Sequence, residues 1–374
     1  MNSVALTRKV AQAVIAPLAA LIVAMAVTSV IIAISGASVG DFLSVLFRAP
    51  SNRNWVNIIN QASMLFLSAM AAAIGFRMNL FNIGVEGQYT LASYMAALVA
   101  GAAFLPGIAN IVLAILVAML VGGVWAGIAG LLKVTRGVSE VISTIMLNAV
   151  AITMVGYLLN TYGQQYGQGR RTTPLAPDSK FSGFTPFEPR DGAIWTLCLL
   201  AVLVGVGISW LINRTRFGFD LRATGANEAA AVASGVKVKR MVVVSMLLSG
   251  AVAGLIWLPS LFNGADYYGT PFQRGLGFAG IAVALLGRNR PLGIAFGALL
   301  FAWLNEQANP LGLMAQISPS VVLITQGVVV LAVVVAYEVV RRRVAASEQK
   351  ALRAALDAQK AQDQQPKNEQ EVSA

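Results

Sequence analysis

The sequence predicts an all-α, polytopic membrane protein of about ten transmembrane helices, some broken or half-length, with both termini cytoplasmic. Three observations lead there. Of 374 residues, 57% are hydrophobic and only 11% charged, and the mean hydropathy is +0.71, so most of the chain belongs in lipid or against other apolar helices. Apolar runs recur at lengths of roughly 17 to 25 residues, enough to cross about 30 Å of hydrocarbon. Lysine and arginine concentrate in alternate connecting segments, as cytoplasmic loops require.

The expected spans run 10 to 34, 55 to 75, 84 to 105, 108 to 132, 138 to 160, 192 to 213, 241 to 262, 275 to 287, 291 to 308 and 319 to 340. Residues 1–9 form a cytoplasmic N-terminus, 10–343 the transmembrane domain and 344–374 a cytoplasmic tail, which alternates Ala, Gln, Glu and Lys up to Pro366 and reads as a frayed helix followed by disorder. The first run follows Arg8 and Lys9 like a signal peptide, but it is longer than an h-region and reads as an uncleaved helix. The eighth is too short for an ordinary span and reads as a half-helix, with a faint suggestion of an internal repeat relating it to the break near Gly84. With the N-terminus inside, Arg77, Lys133, Arg136, Arg288, Arg290 and Arg341 to Arg343 fall on the inner side. Arg48, Arg53, Arg170, Arg171, Lys180, Arg190 and Arg274 fall outside.

Residues 161–191, rich in Gly, Pro, Thr and Gln, form the main external loop, either a connector or a cover for a pore mouth. Residues 214–240 form a basic inner loop in which Ala226 to Ala233 suits a brief helix punctuated by Gly225 and Gly235.

Several chemistries are excluded. With no histidine and a single cysteine, Cys198, there is no histidine metal site, no histidine-based triad and no intrachain disulfide. No G-x-x-x-x-G-K-[ST] occurs, so ATP is not bound through a Walker A loop. The net charge of +11 follows topology rather than nucleic acid.

Two segments place polar groups at membrane depth. In Gly75 to Gln88, glycines interrupt two apolar runs beside Asn82, Glu86 and Gln88. A broken helix exposes backbone groups that must face protein or water, and a carboxyl group at that depth avoids lipid. In Gly137 to Asn148, Glu140, Thr144 and Asn148 recur every four residues and share one helical face directed into the bundle. These six residues are the candidate translocation lining. The alternative role for each is hydrogen-bonded glue between helices.

Four motifs occur in order: G-F-R-x-x-L-F-N-I-G-x-E-G-Q, S-E-V-I-S-T-I-M-L-N, A-x-G-x-N-x-x-A-A-x-x-x-G and F-A-G-I-A-V-A-L-L-G-R-x-x-P-L-G. Together they resemble the permeases of bacterial ABC importers in the branched-chain amino acid and ribose superfamily. The closest likeness is to the larger permease of a nucleoside (guanosine) or simple-sugar uptake pair. The resemblance implies a non-catalytic inner-membrane subunit that works with a second, non-identical permease, two cytoplasmic ATP-binding subunits that hold the ATP and Mg, and an external solute-binding lipoprotein. It implies a coupling helix between Thr224 and Val236, with Gly225, Asn227, Glu228, Ala229, Ala230 and Gly235 meeting the ATPase. A nucleoside is the expected cargo, with a simple sugar or riboflavin as alternatives. An ion-coupled secondary transporter is the competing class, and a channel or membrane scaffold a further one.

Overall fold

The computed structural model describes residues 22–34, 36–314, 317–318 and 320–333, with four isolated positions beyond them. The N-terminal segment 1–9, the first half of the expected first span and nearly all of the tail lie outside the described residues. Two compact units are present. One contains α1 (Ile22–Ile34) and the residues from Gly327; the other runs from Ala37 to Gln326 and carries everything below.

The second unit is a helical bundle. Its elements are α2 (Val39–Leu46), α3 (Asn52–Phe76), α4 (Val85–Ala102), α5 (Ile108–Arg136), α6 (Glu140–Tyr162), α7 (Cys198–Arg214), α8 (Arg216–Ala226), α9 (Glu228–Ala233), α10 (Val238–Ala253), α11 (Leu258–Ser260), α12 (Leu276–Leu286), α13 (Pro291–Ala308) and α14 (Leu311–Met314). A last helix, α15, spans Ser320–Val333 and passes from this unit into the other at Gly327. Among the described residues, α3, α5, α6 and the run from α10 through α11 to Ala265 are long and apolar enough to cross a membrane. The pair α7 and α8, bent by 73° at Thr215, makes a fifth if counted as one span.

At the centre lies α3, packed against α4, α7, α10, α12 and α13. Its apolar face is Ala-, Met- and Leu-rich, which permits close neighbours on every side. The tightest pairing joins α5 to α10. Gly122, Gly123 and Gly127 meet Leu247, Gly250 and Gly254, Gly130 meets Met246, and a Cβ at Gly122 or Gly250 would collide with the opposite backbone.

Local chemistry sets the helix ends. Ser38 and Ser51 cap α2 and α3 through their hydroxyls, Gly137 takes a left-handed turn after α5, and Pro291 opens α13 where its missing amide is harmless. At one end of the bundle the loop 163–197 folds back onto the helices. Its short hairpin, β1 (Gln164–Tyr166) with β2 (Gly169–Arg171), departs from an all-helical reading. Beyond the hairpin, Thr172, Leu175 and Phe181 donate backbone amides to Tyr268, Asp266 and Phe262, and Lys180 pairs with Asp266 at 2.6 Å.

Two expectations need correction. The inner loop holds two helices rather than one. Gly225 lies inside α8 rather than at a helix start, because Thr215 caps an earlier helix by accepting from the Gly218 amide. Residues 35–54 also contain α2, whose Phe42, Val45 and Leu46 pack inward.

Candidate functional site

The N-terminal ends of two helices, α4 and the short α12, meet inside the bundle. The chain leaves α3 at Arg77, turns back through Leu80 and Asn82, and starts α4 only at Val85. Helical rise sets the depth: Asn82 donates to Ser249, 11 residues along α10 from Val238, so α4 begins roughly 16 Å inside that end. From the other side, residues 266–275 run inward along α4. Tyr268 stacks edge-on to Tyr94, and Phe272 packs on Tyr89. Gly275, at φ +89°, then turns the chain into α12, 11 residues long and about 16 Å in rise.

Glu86 joins the two starts. It is buried, 3% exposed, in the first turn of α4. One carboxyl oxygen accepts from the Gly275 amide at 2.7 Å and from the Tyr89 hydroxyl at 3.1 Å; the other accepts from the Gly277 amide at 2.9 Å. Glu86 therefore caps α12 while sitting in the first turn of α4, where both helix dipoles favour negative charge. A Cβ at Gly277 would come within 2.5 Å of the Glu86 nitrogen, so only glycine allows this approach.

The free amides of α4 are capped from outside as well. Asn82 Oδ1 accepts from Gly84 at 3.0 Å, and Asn148 Oδ1, on α6, accepts from Gly87 at 2.8 Å. Asn148 also donates to Ile83 O at 2.9 Å. Asn82 and Gln88 exchange two amide bonds, and Ser249 donates onward to Ala71 O on α3 at 2.7 Å. Hence α3, α4, α6 and α10 share one polar knot. Glu140 and Thr144 complete the α6 stripe, both buried. Glu140 accepts from Lys133 at 2.6 Å, and the Thr144 hydroxyl donates to the Glu140 carbonyl at 2.7 Å.

The six polar residues singled out from sequence are thus all buried and hydrogen-bonded within the bundle. Tyr89, Ser249, Tyr268 and Arg274 were missed. Arg274 and Tyr268, with Glu86, Thr90 and the α6 residues Ile152 and Gly156, line a cleft of only about 40 Å³. A water fits there; a larger solute needs the helices to part. The glycine before α12 was the available signal for this segment, but nothing local tied it to Glu86, 189 residues earlier.

At the bundle end nearest Arg77 lies α9. Asn227 caps α9 by accepting from the Ala230 amide at 3.0 Å, and Gly235, at φ +84°, ends the turn that follows. Asn227, Glu228, Ala229, Ala230 and Gly235 are exposed, as is Val232 at 58%. The residue that seats the helix is Ala231, 2% exposed, in a core with Met78, Leu80, Leu221, Val238, Met241 and Met246. Gly225 lies against the Arg77 carbonyl and Met78 Cα, leaving no room for a side chain. Arg77 in turn donates twice to the Asn289 carbonyl, at 2.6 and 3.1 Å. Burial and the neighbouring Arg222 and Arg290 guanidiniums lower the Arg77 pKa. The exposed α9 is thereby mounted on the turns that lead into α4 and out of α12.

A model of the family described as branched-chain amino acid transport system / permease component matches residues 54–335. The guanosine ABC transporter permease protein NupP of Bacillus subtilis is 33% identical over 330 residues, covering 86% of this chain and 93% of its own. The nucleoside ABC transporter permease protein NupB of Lactococcus lactis subsp. cremoris is 31% identical, covering 65% of this chain and 69% of its own. The glucose ABC transporter permease protein TsgB13 of Haloferax volcanii is 28% identical, covering 84% and 85%. With the family match spanning α3 through α15 and both the α4–α12 junction and α9 inside it, this chain belongs to the branched-chain amino acid transport system permease component family.

Proposed function

We propose that the chain is the permease subunit of an ABC importer that carries a nucleoside, guanosine foremost, across a bacterial inner membrane by alternating access. The observation that carries this reading is the α9 lever: an exposed, capped helix seated by one buried residue onto the turns that hold α4 and α12. Motion imposed on α9 reaches Met78 and Leu80 through the shared core, and from there the polar knot at the start of α4. The likeness to the guanosine permease over most of both chains supports the cargo. Asn, Gln, Ser and Thr side chains suit a neutral, hydrogen-bonding solute.

The topology belongs to the same proposal. About ten spans, α8 and α9 in the cytoplasm and both termini inside agree with the basic turns at Arg77, Lys133 to Arg136, Arg214 to Arg240 and Arg288 to Arg290. The partners are two ATP-binding subunits holding ATP and Mg, a second permease and an external solute-binding lipoprotein. ATP drives the cycle only if it favours one motor state over the other and the motor grips the lever differently in each.

The test is guanosine uptake into proteoliposomes. Uptake is expected with ATP, the ATPases, the second permease and the binding protein, and absent with this chain alone. Ion-gradient-driven uptake by the chain alone would refute the proposal in favour of a secondary transporter. Glucose competing and guanosine not competing would move the cargo to a simple sugar.

A further inference from the structure

Two helices, α7 and α13, both lie against α3 but leave a gap between themselves. The gap is an open groove of about 770 Å³. Its floor includes Phe66, admitted by Gly205, where a Cβ would come within 2.7 Å of the ring. Val202, Val206, Trp210 and Leu292 line the walls and are all more than half exposed. From Cys198 to Arg214 the groove follows α7 for about 24 Å, most of the hydrocarbon thickness. It ends at Asn213 and Arg214, on the same bundle end as the lever. No carboxylate pairs with Arg214 among the described residues.

Shape and charge decide the occupant. A hydrocarbon chain is thin enough to lie in it. An unpaired guanidinium one turn from an interfacial tryptophan is suited to a phosphate at headgroup level. We propose that the groove binds one anionic phospholipid, its acyl chain along α7 and its phosphate on Arg214. This proposal is independent of the cargo and of the lever.

The full-length protein in detergent would be titrated with phosphatidylglycerol and with phosphatidylcholine of the same chains, and bound lipid counted by native mass spectrometry. Quenching of Trp210 by spin-labelled phosphatidylglycerol, taken as the difference from Trp210→Phe, places the lipid. The wild type is expected to prefer phosphatidylglycerol about fivefold, the effect of one basic residue at an anionic surface. Arg214→Gln, at an exposed site that leaves the fold intact, is expected to abolish the preference. Ala295→Phe fills the groove with Arg214 in place and is expected to lose both lipid and quenching. Equal retention of the two lipids by the wild type, or an unchanged preference in Arg214→Gln, overturns the proposal. So does cross-linking from Cys198, the sole cysteine and a groove residue, to a second copy or another permease with Trp210 unquenched.

Discussion

The α4–α12 junction and the lever are both short helical starts capped by side chains, yet they treat their surroundings in opposite ways. At the junction, Glu86, Asn82, Gln88 and Asn148 are buried and their polar atoms have partners inside the chain. At the lever, Asn227 makes one capping bond and the rest of α9, apart from Ala231, faces outward. A saturated, buried network fixes geometry, whereas an open surface on a firm mount receives a partner. The comparison therefore separates a fixed centre from an open periphery.

The largest expected effect is at Glu86. Glu86→Leu leaves the buried Gly275 and Gly277 amides without their acceptor and should destabilise the protein by about 2–6 kcal/mol. Thermal unfolding in detergent measures this; a Tm within a degree of wild type would mean that the junction does not hold α12. Next comes Gly225→Leu, which drives a side chain into the Arg77 carbonyl. Overpacking there should cost about 1–3 kcal/mol and displace α8, so ATP hydrolysis and uptake should separate before folding fails. Asn148→Ala strips acceptor and donor from Gly87 and Ile83, a loss of about 1–3 kcal/mol, with protease resistance of α4 as the readout. The smallest effect belongs to Lys133→Gln. Its ion pair with Glu140 is one-third exposed on the lysine side, and a glutamine amide can still donate to the buried carboxyl group, so about 1 kcal/mol is at stake and Tm should fall only slightly.

Much of this architecture was legible in the sequence, for identifiable reasons. Long apolar runs marked α3, α5, α6 and the run from α10 to Ala265 to within a few residues, and Pro291 and Ala308 bound α13 where expected because proline opens a helix and the apolar run ends there. Asn227 and Gly235 marked the two ends of α9 through capping chemistry. Less visible were elements without an apolar signature. The helix α8 mixes Arg216, Phe219, Asp220 and Arg222, and its start depends on a single hydroxyl, Thr215. Ala231, the residue that seats α9, looked like its neighbours because alanine gives no local hint of which face is buried. Glu86 was visible as an unusual carboxyl group, but its partners lie 189 and 191 residues away and no periodicity connects them.

The most direct test of the central claim replaces Ala229 and Ala230 together with aspartate in the reconstituted importer and compares ATP hydrolysis with guanosine uptake. Both side chains are exposed, so membrane insertion should be unaltered and stability should remain within about 0.5 kcal/mol of wild type. The account predicts that hydrolysis continues while uptake is lost. Uptake at the wild-type rate per ATP would contradict it.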